Sequence, residues 1–375
     1  MKKKKKYTFR KFINDVHLWL GLASGIILFL VCLSGTILTF EDEIKSFTSE
    51  ELNVEKTATS KKSITELQKI LQKEGKVTAV TLIANEEKAY EFRVKTSKED
   101  RRGTTFYINP YTGEYQQHLK SDLDGFFSSM FRLHRWLLLD SKIGRPIVGI
   151  ATLIFLVISV TGLVLWFPKK TKWKNFKPGF KIKFSANWKR INHDLHNTLG
   201  FYACIFIVIM ALTGLCWSFE WYRDFGTKVL GAQIFGGRNQ PAIVSQAQGE
   251  MITIDDALKV IDKEFPYEGD VSINFLQEGT DVYKVRKYSS ERFSPIISDN
   301  ITIDRDGKIL DKEIFSEKPI NQQIVSLIKP LHMGYIYGSF SKTIYFLACL
   351  IATSLPVTGT IIWINKMKKK NKKRG

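Results

Sequence analysis

The sequence predicts an α-helical membrane protein: a bundle of four transmembrane helices that carries two α+β domains on one side of the membrane. Four apolar segments are long enough to cross a bilayer, and three clusters of basic residues all lie at the same side of these segments. One order of elements also occurs twice along the chain, which indicates an internal duplication.

Each apolar segment meets the length and composition of a membrane-spanning helix. At 1.5 Å per residue, about 20 residues cross a hydrocarbon core of about 30 Å. All four segments contain Gly together with Ser or Thr and carry Trp or Phe at their ends, as transmembrane helices commonly do. We therefore predict transmembrane helices over residues 15–40, 141–167, 193–219 and 336–365.

The basic residues set the orientation of these helices. Residues 1–14 carry seven Lys or Arg, 168–190 carry nine and 366–375 carry seven, and none of the three stretches contains Asp or Glu. Their sum exceeds the net charge of +19, so the rest of the chain is slightly acidic. The positive-inside rule then predicts a cytoplasmic tail over 1–14, a cytoplasmic loop over 168–192 and a second cytoplasmic tail over 366–375.

This charge distribution also indicates the partner of the basic clusters. Clusters that adjoin apolar spans are attracted to anionic lipid headgroups of the bilayer, and we expect no nucleic-acid partner. The long segments 41–140 and 220–335 must then face outward.

The two outward segments share one pattern of elements. In the first, "SITELQKILQKEG" has helical spacing of apolar residues and is followed by the β-rich stretches "VTAVTLI", "AYEFRVKT" and "TTFYINPYTGEY". In the second, "TIDDALKVIDKEF" is followed by "GDVSINFL", "DVYKVRKYS" and "NITIDRDGKIL". Both patterns predict a small α+β domain with a helix before its strands.

Five of the six histidines lie near the ends of the spans, in two layers. His17, His193 and His196 lie at the cytoplasmic ends of the first and third spans, whereas His134 and His332 lie just outside the second and fourth. Each layer therefore draws imidazoles from two helices. The sixth histidine, at position 118 in the polar "YQQHLKSD", is expected to be an ordinary surface residue.

Two layers of paired imidazoles suit haem. Neutral imidazole is an axial haem ligand, and bis-imidazole ligation leaves no open position on the iron, which favours electron transfer. A helix bundle can hold a porphyrin between facing helices. We predict two b-type haems, with His17 and either His193 or His196 as ligands of one iron and His134 and His332 as ligands of the other. The four cysteines lie within spans and form no C-x-x-C-H motif for covalent attachment.

Other interpretations remain open. A cytoplasmic zinc site would need carboxylates beside the histidines, and Asp15 and Asp194 are close in sequence. A proton pathway lacks its usual members, because the apolar windows of the spans, 17–40, 146–167, 196–219 and 341–364, contain no Asp or Glu. Some basic residues near the outer ends could meet haem propionates or serve as interfacial anchors; these are Arg132, Arg135, Arg145 and Lys342. A Gly that follows Ser or Thr recurs in each span, at positions 35, 162, 214 and 359, and predicts close approach of helices.

The ordered motifs resemble a known family over nearly the whole chain. "HLWLG", "LHRWLLL", "NHDLHNTLG" and "LHMGYIYG" head spans that contain "SGTIL", "TGLVLWFP", "TGLCWSF" and "TGTIIWI". This set is similar to the PepSY-associated transmembrane family. The resemblance implies that the two outward segments are periplasmic PepSY-like domains. It further implies a place in the bacterial inner membrane, because the family includes haem-containing reductases that deliver electrons to ferric siderophores during iron acquisition.

The sequence thus leads to one main hypothesis and one alternative. In the main hypothesis the protein is a di-haem electron carrier that acts as a ferric-siderophore reductase on the periplasmic side. No Gly-rich nucleotide motif is present, so the electron donor would be a quinol or a separate cytoplasmic reductase. In the alternative, the protein is a non-enzymatic PepSY membrane module that binds or regulates a partner protein.

Overall fold

The computed structural model describes residues 7–48, 54, 60–97, 99–100, 103–119, 121–236, 242–276 and 279–371. Residues 1–6 and 372–375 of the predicted basic tails therefore lie outside the described residues. The chain forms two compact units. A helical unit is built from segments 1–42, 122–234 and 328–375, and a sheet unit from segments 43–121 and 235–327.

The α-helices of the described residues are α1 (Phe9–Leu38), α2 (Glu41–Thr48), α3 (Ile64–Leu71), α4 (Asp122–Trp136), α5 (Ser141–Trp166), α6 (Trp173–Phe176), α7 (Trp188–Asp194), α8 (Gly200–Ser218), α9 (Glu220–Leu230), α10 (Ile254–Glu264), α11 (Ile320–Ser326), α12 (Ile328–Met333) and α13 (Gly338–Asn371). The strands are β1 (Lys76–Leu82), β2 (Tyr90–Lys95), β3 (Thr104–Ile108), β4 (Tyr115–Gln117), β5 (Val271–Asn274), β6 (Val282–Tyr288), β7 (Ser298–Asp304) and β8 (Ile309–Glu313). A π-helical turn, Leu195–Leu199, joins α7 to α8.

The four predicted membrane-spanning helices are present in the helical unit. The stretches long and apolar enough to cross a bilayer are Phe9–Leu38, Ser141–Trp166, Trp188–Ser218 and Tyr335–Lys369. Helix α1 packs against α5 and α13, and α8 packs against the same two helices. The spans therefore form a closed bundle in the order α1, α5, α8, α13. Helix α4 packs on α1 and α5, and α12 packs on α8.

The ends of the spans are fixed by polar and aromatic contacts. The guanidinium of Arg10 on α1 donates to the carbonyl oxygens of Leu165 (2.6 Å) and Phe167 (2.9 Å), which lie at the end of α5. These bonds satisfy carbonyls that have no partner within their own helix. Trp166 stacks on Phe201 with 3.8 Å between ring centroids. The basic loop after α5 is held here too, because the indole of Trp166 donates to the carbonyl of Gly179.

The two outward segments share a single sheet, which the sequence did not anticipate. Its eight antiparallel strands have the order β4-β3-β2-β1-β5-β6-β7-β8, so β1 of the first segment pairs with β5 of the second. Val80 lies opposite Ile273, and Leu82 lies opposite Val271. In two separate domains β1 and β5 would each be an edge strand with unpaired backbone groups, and their pairing removes both edges.

One face of this sheet is covered by α3 and α10, and the apolar core lies between them. Leu67 and Leu71 of α3 and Ala257 and Ile261 of α10 have no exposed surface. The carboxylate of Asp255 on α10 accepts hydrogen bonds from the first backbone N–H groups of α3. An acidic group at a helix N-terminus is favourable, so this contact ties the two segments together.

The boundary between the units differs from the predicted segments 41–140 and 220–335. The residues that the sequence assigned to the outward segments but that group with the spanning helices are 41–42, 122–140, 220–234 and 328–335. The physical reason is packing, because α4 lies against α1 and α5. As a result, the histidines on α4 and α12 belong to the helical unit.

A buried carboxylate organises the end of the second segment. Asp299 on β7 is 1% exposed and accepts hydrogen bonds from the Tyr267 hydroxyl (2.6 Å), the Phe315 backbone N–H (2.8 Å) and the guanidinium of Arg292. Burial opposes ionisation of Asp299, but these donors outweigh it and hold the pKa of the carboxyl below its usual value.

We therefore expect Asp299→Asn to destabilise the sheet unit by roughly 3 kcal/mol at neutral pH, because the Arg292 charge loses its buried partner. A carboxyl with a lowered pKa stabilises the fold above about pH 4 and loses this effect as the pH falls through its folded-state pKa. The difference in stability between wild type and Asp299→Asn should therefore become smaller in acid. Hydrogen exchange of β7 and β8 in the full chain measures it. Asp311→Asn, at an exposed carboxylate on β8, is the control, and equal exchange in both variants would contradict the assignment.

Candidate functional site

Two pairs of histidine rings lie inside the helical unit. The ring centroids of His17 and His196 are 6.2 Å apart, with 88° between the ring planes. The ring centroids of His134 and His332 are also 6.2 Å apart, with 57° between the planes. All four rings are partly buried. The structure thus brings together the residues that the sequence assigned to each layer, with His196 rather than His193 as the partner of His17.

The first pair is held by α5 and α13. On α1, His17 places its Nδ1 atom 3.1 Å from the Ile158 carbonyl oxygen and 3.1 Å from the Thr161 hydroxyl of α5. The π-helical turn carries His196, whose Nδ1 lies 2.9 Å from the Thr358 hydroxyl of α13. Such π-helical turns are often found at functional sites. Each ring is therefore oriented by a helix other than its own.

The second pair follows the same scheme on α1 and α8. The Nδ1 atom of His134, on α4, lies 2.9 Å from the carbonyl oxygen of Val31 on α1. The Nδ1 atom of His332, on α12, lies 3.0 Å from the carbonyl oxygen of Met210 and 3.1 Å from the hydroxyl of Thr213, both on α8. The hydroxyl of Ser34 is 3.5 Å from His134 Nδ1, a longer contact than the threonines make.

The hydroxyl groups determine which ring nitrogen carries the proton. Ser34, Thr161, Thr213 and Thr358 each donate their own proton to the backbone carbonyl four residues earlier, at 2.7, 2.8, 2.7 and 3.0 Å. Such a hydroxyl can only accept from the imidazole, and a carbonyl can only accept as well. We therefore assign the proton of each neutral ring to Nδ1. Nε2 then carries a lone pair, which is the form of histidine that binds a metal.

A glycine after each hydroxyl residue makes room for the ring. A Cβ atom at Gly35 would lie 3.0 Å from Cε1 of His134, and one at Gly214 would lie 3.0 Å from Cε1 of His332. At Gly162 and Gly359 the corresponding distances to the rings of His17 and His196 are both 3.1 Å. The small residue therefore admits a histidine ring, whereas the sequence had suggested close approach between helix backbones. We call each hydroxyl residue with its glycine a histidine cradle.

The spacing within each pair fits two axial ligands of one metal. Since a metal–imidazole bond is about 2.0 Å long, and a ring centroid lies about 1.1 Å beyond the nitrogen, two rings on opposite sides of one ion have centroids about 6.2 Å apart. Every hydrogen bond of the four rings is made at Nδ1, and in the part of the chain that the structure describes Nε2 has no partner.

The two pairs are far apart along the bundle. His17 and Gly35, which packs on His134, are eighteen residues apart on the continuous helix α1. His196 and Gly214, which packs on His332, are separated by the same number of residues. At 1.5 Å per residue this corresponds to about 27 Å, which is close to the thickness of a bilayer core.

The remaining candidates do not join these pairs. The side chain of His193 is 56% exposed, and its Nδ1 lies 3.6 Å from a carboxylate oxygen of Asp194. Arg190 binds Asp194 at 2.8 Å, and Lys11 binds Asp15 at 2.9 Å. Both carboxylates proposed for zinc are thus paired with cations. Among the described residues, no group of three or more His, Cys, Asp or Glu could hold a metal ion.

The basic residues near the second pair have separate surroundings. Lys342 is 1% exposed, donates to the Tyr335 hydroxyl at 2.6 Å and lies 5.4 Å from the centroid of the Phe40 ring. Arg135 lies 5.3 Å from the ring centroids of both Phe131 and Trp136. The sixth histidine, His118, lies in the sheet unit, where its half-buried ring packs against Tyr107 with 6.0 Å between the ring centroids.

The sequence revealed the histidines but not the residues that orient them. The Ser/Thr-Gly pairs were noticed as a repeat, yet their partners lie 100 or more residues away and could not be assigned. Asn192 was missed altogether. It is 1% exposed, and its side-chain amide donates to the carbonyl oxygen of Thr358 at 3.1 Å, which fixes the cradle of His196.

Each of the four spans carries one histidine cradle. The match to a known family runs through all four cradles. The sequence profile of the PepSY-associated TM region matches residues 15–366. The chain belongs to the PepSY-associated transmembrane family. Comparison with curated proteins gave no match. The four histidines and four cradles all lie within the stretch that matches this family.

The exposure of the rings predicts their reactivity. Diethyl pyrocarbonate attacks accessible neutral imidazoles, so His193 should be modified before His17, His134, His196 and His332, whose Nδ1 atoms are engaged with neighbouring helices. Mass spectrometry of the full-length protein after brief exposure measures this order. Modification of His17 or His332 as fast as that of His193 would show that these rings are not held as described.

Proposed function

We propose that this membrane protein is a two-haem electron carrier of the bacterial inner membrane that reduces ferric siderophores on the periplasmic side. The observation that carries this proposal is the tautomer and spacing of the two histidine pairs. In each pair two rings lie 6.2 Å apart with Nδ1 committed to a neighbouring helix. Two neutral imidazoles in this arrangement can hold one haem iron axially.

When bound, haem supplies one-electron transfer that the side chains of this chain cannot perform. The protein contributes position: His17 and His196 hold one group, and His134 and His332 hold the other. A haem held by two histidines would supply electron transfer rather than oxygen chemistry. The family membership, together with a separation of about 27 Å along the helices, favours transfer of electrons from one face of the membrane to the other.

Two buried donors near His134 suit the carboxylates of such a group. Among the described residues, the indole N–H of Trp136 and the Nε–H of Arg145 are buried without an acceptor. Trp136 lies at the end of α4, and the backbone of Trp136 fills the space beside Gly144, the neighbour of Arg145. A buried donor without an acceptor costs about 1–3 kcal/mol. We propose that a haem propionate would accept hydrogen bonds from Trp136 and Arg145.

The direction of transfer follows from the predicted topology. The basic clusters orient His17 and His196 toward the cytoplasm and His134 and His332 toward the periplasm. A quinol or a separate cytoplasmic reductase would supply the electron. A ferric siderophore is a suitable acceptor because hard oxygen donors bind Fe(III) more strongly than Fe(II), so one added electron loosens the chelate. The chelate would not need to cross the membrane.

The histidine cradles provide a test of the two sites. Gly214→Val should push His332 out of position and remove one haem per chain, and Gly359→Val should do the same at His196, because a larger side chain cannot fit beside either ring. The haem-to-protein ratio and the visible spectrum measure the result. Gly125→Val, at an exposed position of α4, is the matched control, since no described heavy atom beyond its own helix backbone and chain neighbours lies within 4 Å of a Cβ atom placed there.

Two results would count against this assignment. One is full haem content in both cradle variants. The other is a colourless wild-type protein from haem-supplied cells, which would instead favour a PepSY module that binds a partner protein without redox chemistry.

The acceptor is tested by reoxidation of the reduced protein. Stopped-flow mixing of dithionite-reduced protein with ferric siderophores should give rapid loss of the reduced haem band in wild type. His332→Ala should slow this loss at least about tenfold, because the ligand set at the periplasmic exit is broken. Met333→Ala, at the exposed neighbour of His332, should react like wild type. Equal rates in His332→Ala and wild type would exclude this pair as the exit, and reoxidation only by other acceptors would remove iron chelates from the proposal.

A further inference from the structure

The sheet unit contains a polar trough at the centre of one face. This face lies opposite α3 and α10, and the trough has a volume of about 240 Å³. It crosses five neighbouring strands, from β3 to β6. The described residues that line it are Ala79, Val80, Thr81, Glu91, Phe92, Arg93, Thr105, Ser272, Asn274 and Arg286.

The strand register explains the shape of the trough. At the seam between β1 and β5, Thr81 lies opposite Ser272, with 3.5 Å between their hydroxyl oxygens, and Ala79 lies opposite Asn274. These side chains are short. On the next strands outward, β2 and β6, the side chains are long. The surface is therefore lower over β1 and β5 than over β2 and β6. Neither segment could form this surface alone, because the seam joins them.

Two arginines form the opposite walls. Arg93 on β2 pairs in register with Ala79, and Arg286 on β6 pairs with Ser272. Both side chains are exposed. Three inter-strand steps separate β2 from β6, which is about 14 Å. Arginine side chains from both walls can therefore reach one ligand between them. Guanidinium groups bind carboxylates with two parallel hydrogen bonds, and the hydroxyl and amide groups of the seam can bind further oxygen atoms.

The charges of the trough favour an anion. Among the described residues of the lining, the charges of Arg93 and Arg286 outweigh that of Glu91, and Lys284 lies on the same face opposite Asn274. A volume of about 240 Å³ suits a small hydrophilic molecule and not a protein segment or an acyl chain. The floor is formed by hydrogen-bonded strands, so the backbone positions of the polar groups are fixed before a ligand arrives.

We propose that this trough binds a small anionic metal chelate with carboxylate oxygens on its surface. This inference rests on the proposed function, which makes ferric chelates the substrate class, and it narrows that class to anionic carboxylate chelates. By the predicted topology, the sheet unit and the proposed exit for electrons lie on the same side of the membrane. The trough would raise the concentration of the chelate on that side, and KM rather than kcat would depend on it.

Binding can be measured without any electron transfer. Ga(III) has the charge and nearly the size of Fe(III) but is not reduced, so gallium citrate is a suitable probe. Isothermal titration of the full-length protein in neutral detergent should show binding. The double variant Arg93→Gln/Arg286→Gln should weaken it at least about tenfold, since charged hydrogen bonds are lost. Glu91→Gln should strengthen it because a repulsive charge is removed. Lys69→Gln, on the exposed side of α3, should leave it unchanged.

Several outcomes would overturn the proposal. These are absence of gallium citrate binding, equal affinity in the arginine variant and wild type, and equal weakening by Lys69→Gln, which would indicate a general charge effect. Arginine-dependent binding of phosphatidylglycerol vesicles or an acidic peptide without gallium citrate binding would give the face a different partner. If gallium citrate bound but ferric chelates failed to reoxidise the haem, only the proposed function would be refuted.

Discussion

The hydrogen bond between a histidine Nδ1 and an adjacent helix is the interaction on which the helical unit depends. It occurs four times, each time at a hydroxyl residue and its following glycine. The bond joins two helices, orients the ring and leaves Nε2 as the basic nitrogen. Because the hydroxyl donates its own proton to the backbone, this assignment follows from bonding capacity alone. The same hydrogen bond therefore determines how two helices pack, which tautomer the ring adopts and which nitrogen is available to a metal.

This constraint explains features of the bundle that would otherwise be unrelated. The glycine cannot carry a side chain without displacing the ring, because a Cβ atom placed at Gly35 would lie only 3.0 Å from Cε1 of His134. Helices α4 and α12 belong to the helical unit because they deliver His134 and His332 to α1 and α8. The π-helical turn around His196 changes the register of the third span at the point where its ring reaches α13.

The sheet unit depends on a different constraint, which is the pairing of β1 with β5. This pairing removes two exposed edges, brings the cores under α3 and α10 together and creates the trough over the seam. Backbone hydrogen bonds between β1 and β5 join the two segments. The carboxylate of Asp255 adds two hydrogen bonds at the start of α3. A continuous sheet of eight strands offers a wider rigid surface than either segment could provide by itself.

The sequence by itself determined the four spans, because hydropathy and segment length are local properties. It also identified the histidines near the span ends, and the helix-then-strand pattern of each outward segment. Only the tertiary structure decided that His196 pairs with His17 while His193 points away, that the glycines admit rings, and that both segments share one sheet. These features depend on contacts between residues that are 100 or more positions apart, such as His17 with Thr161, and no local pattern records which distant partner a residue will meet.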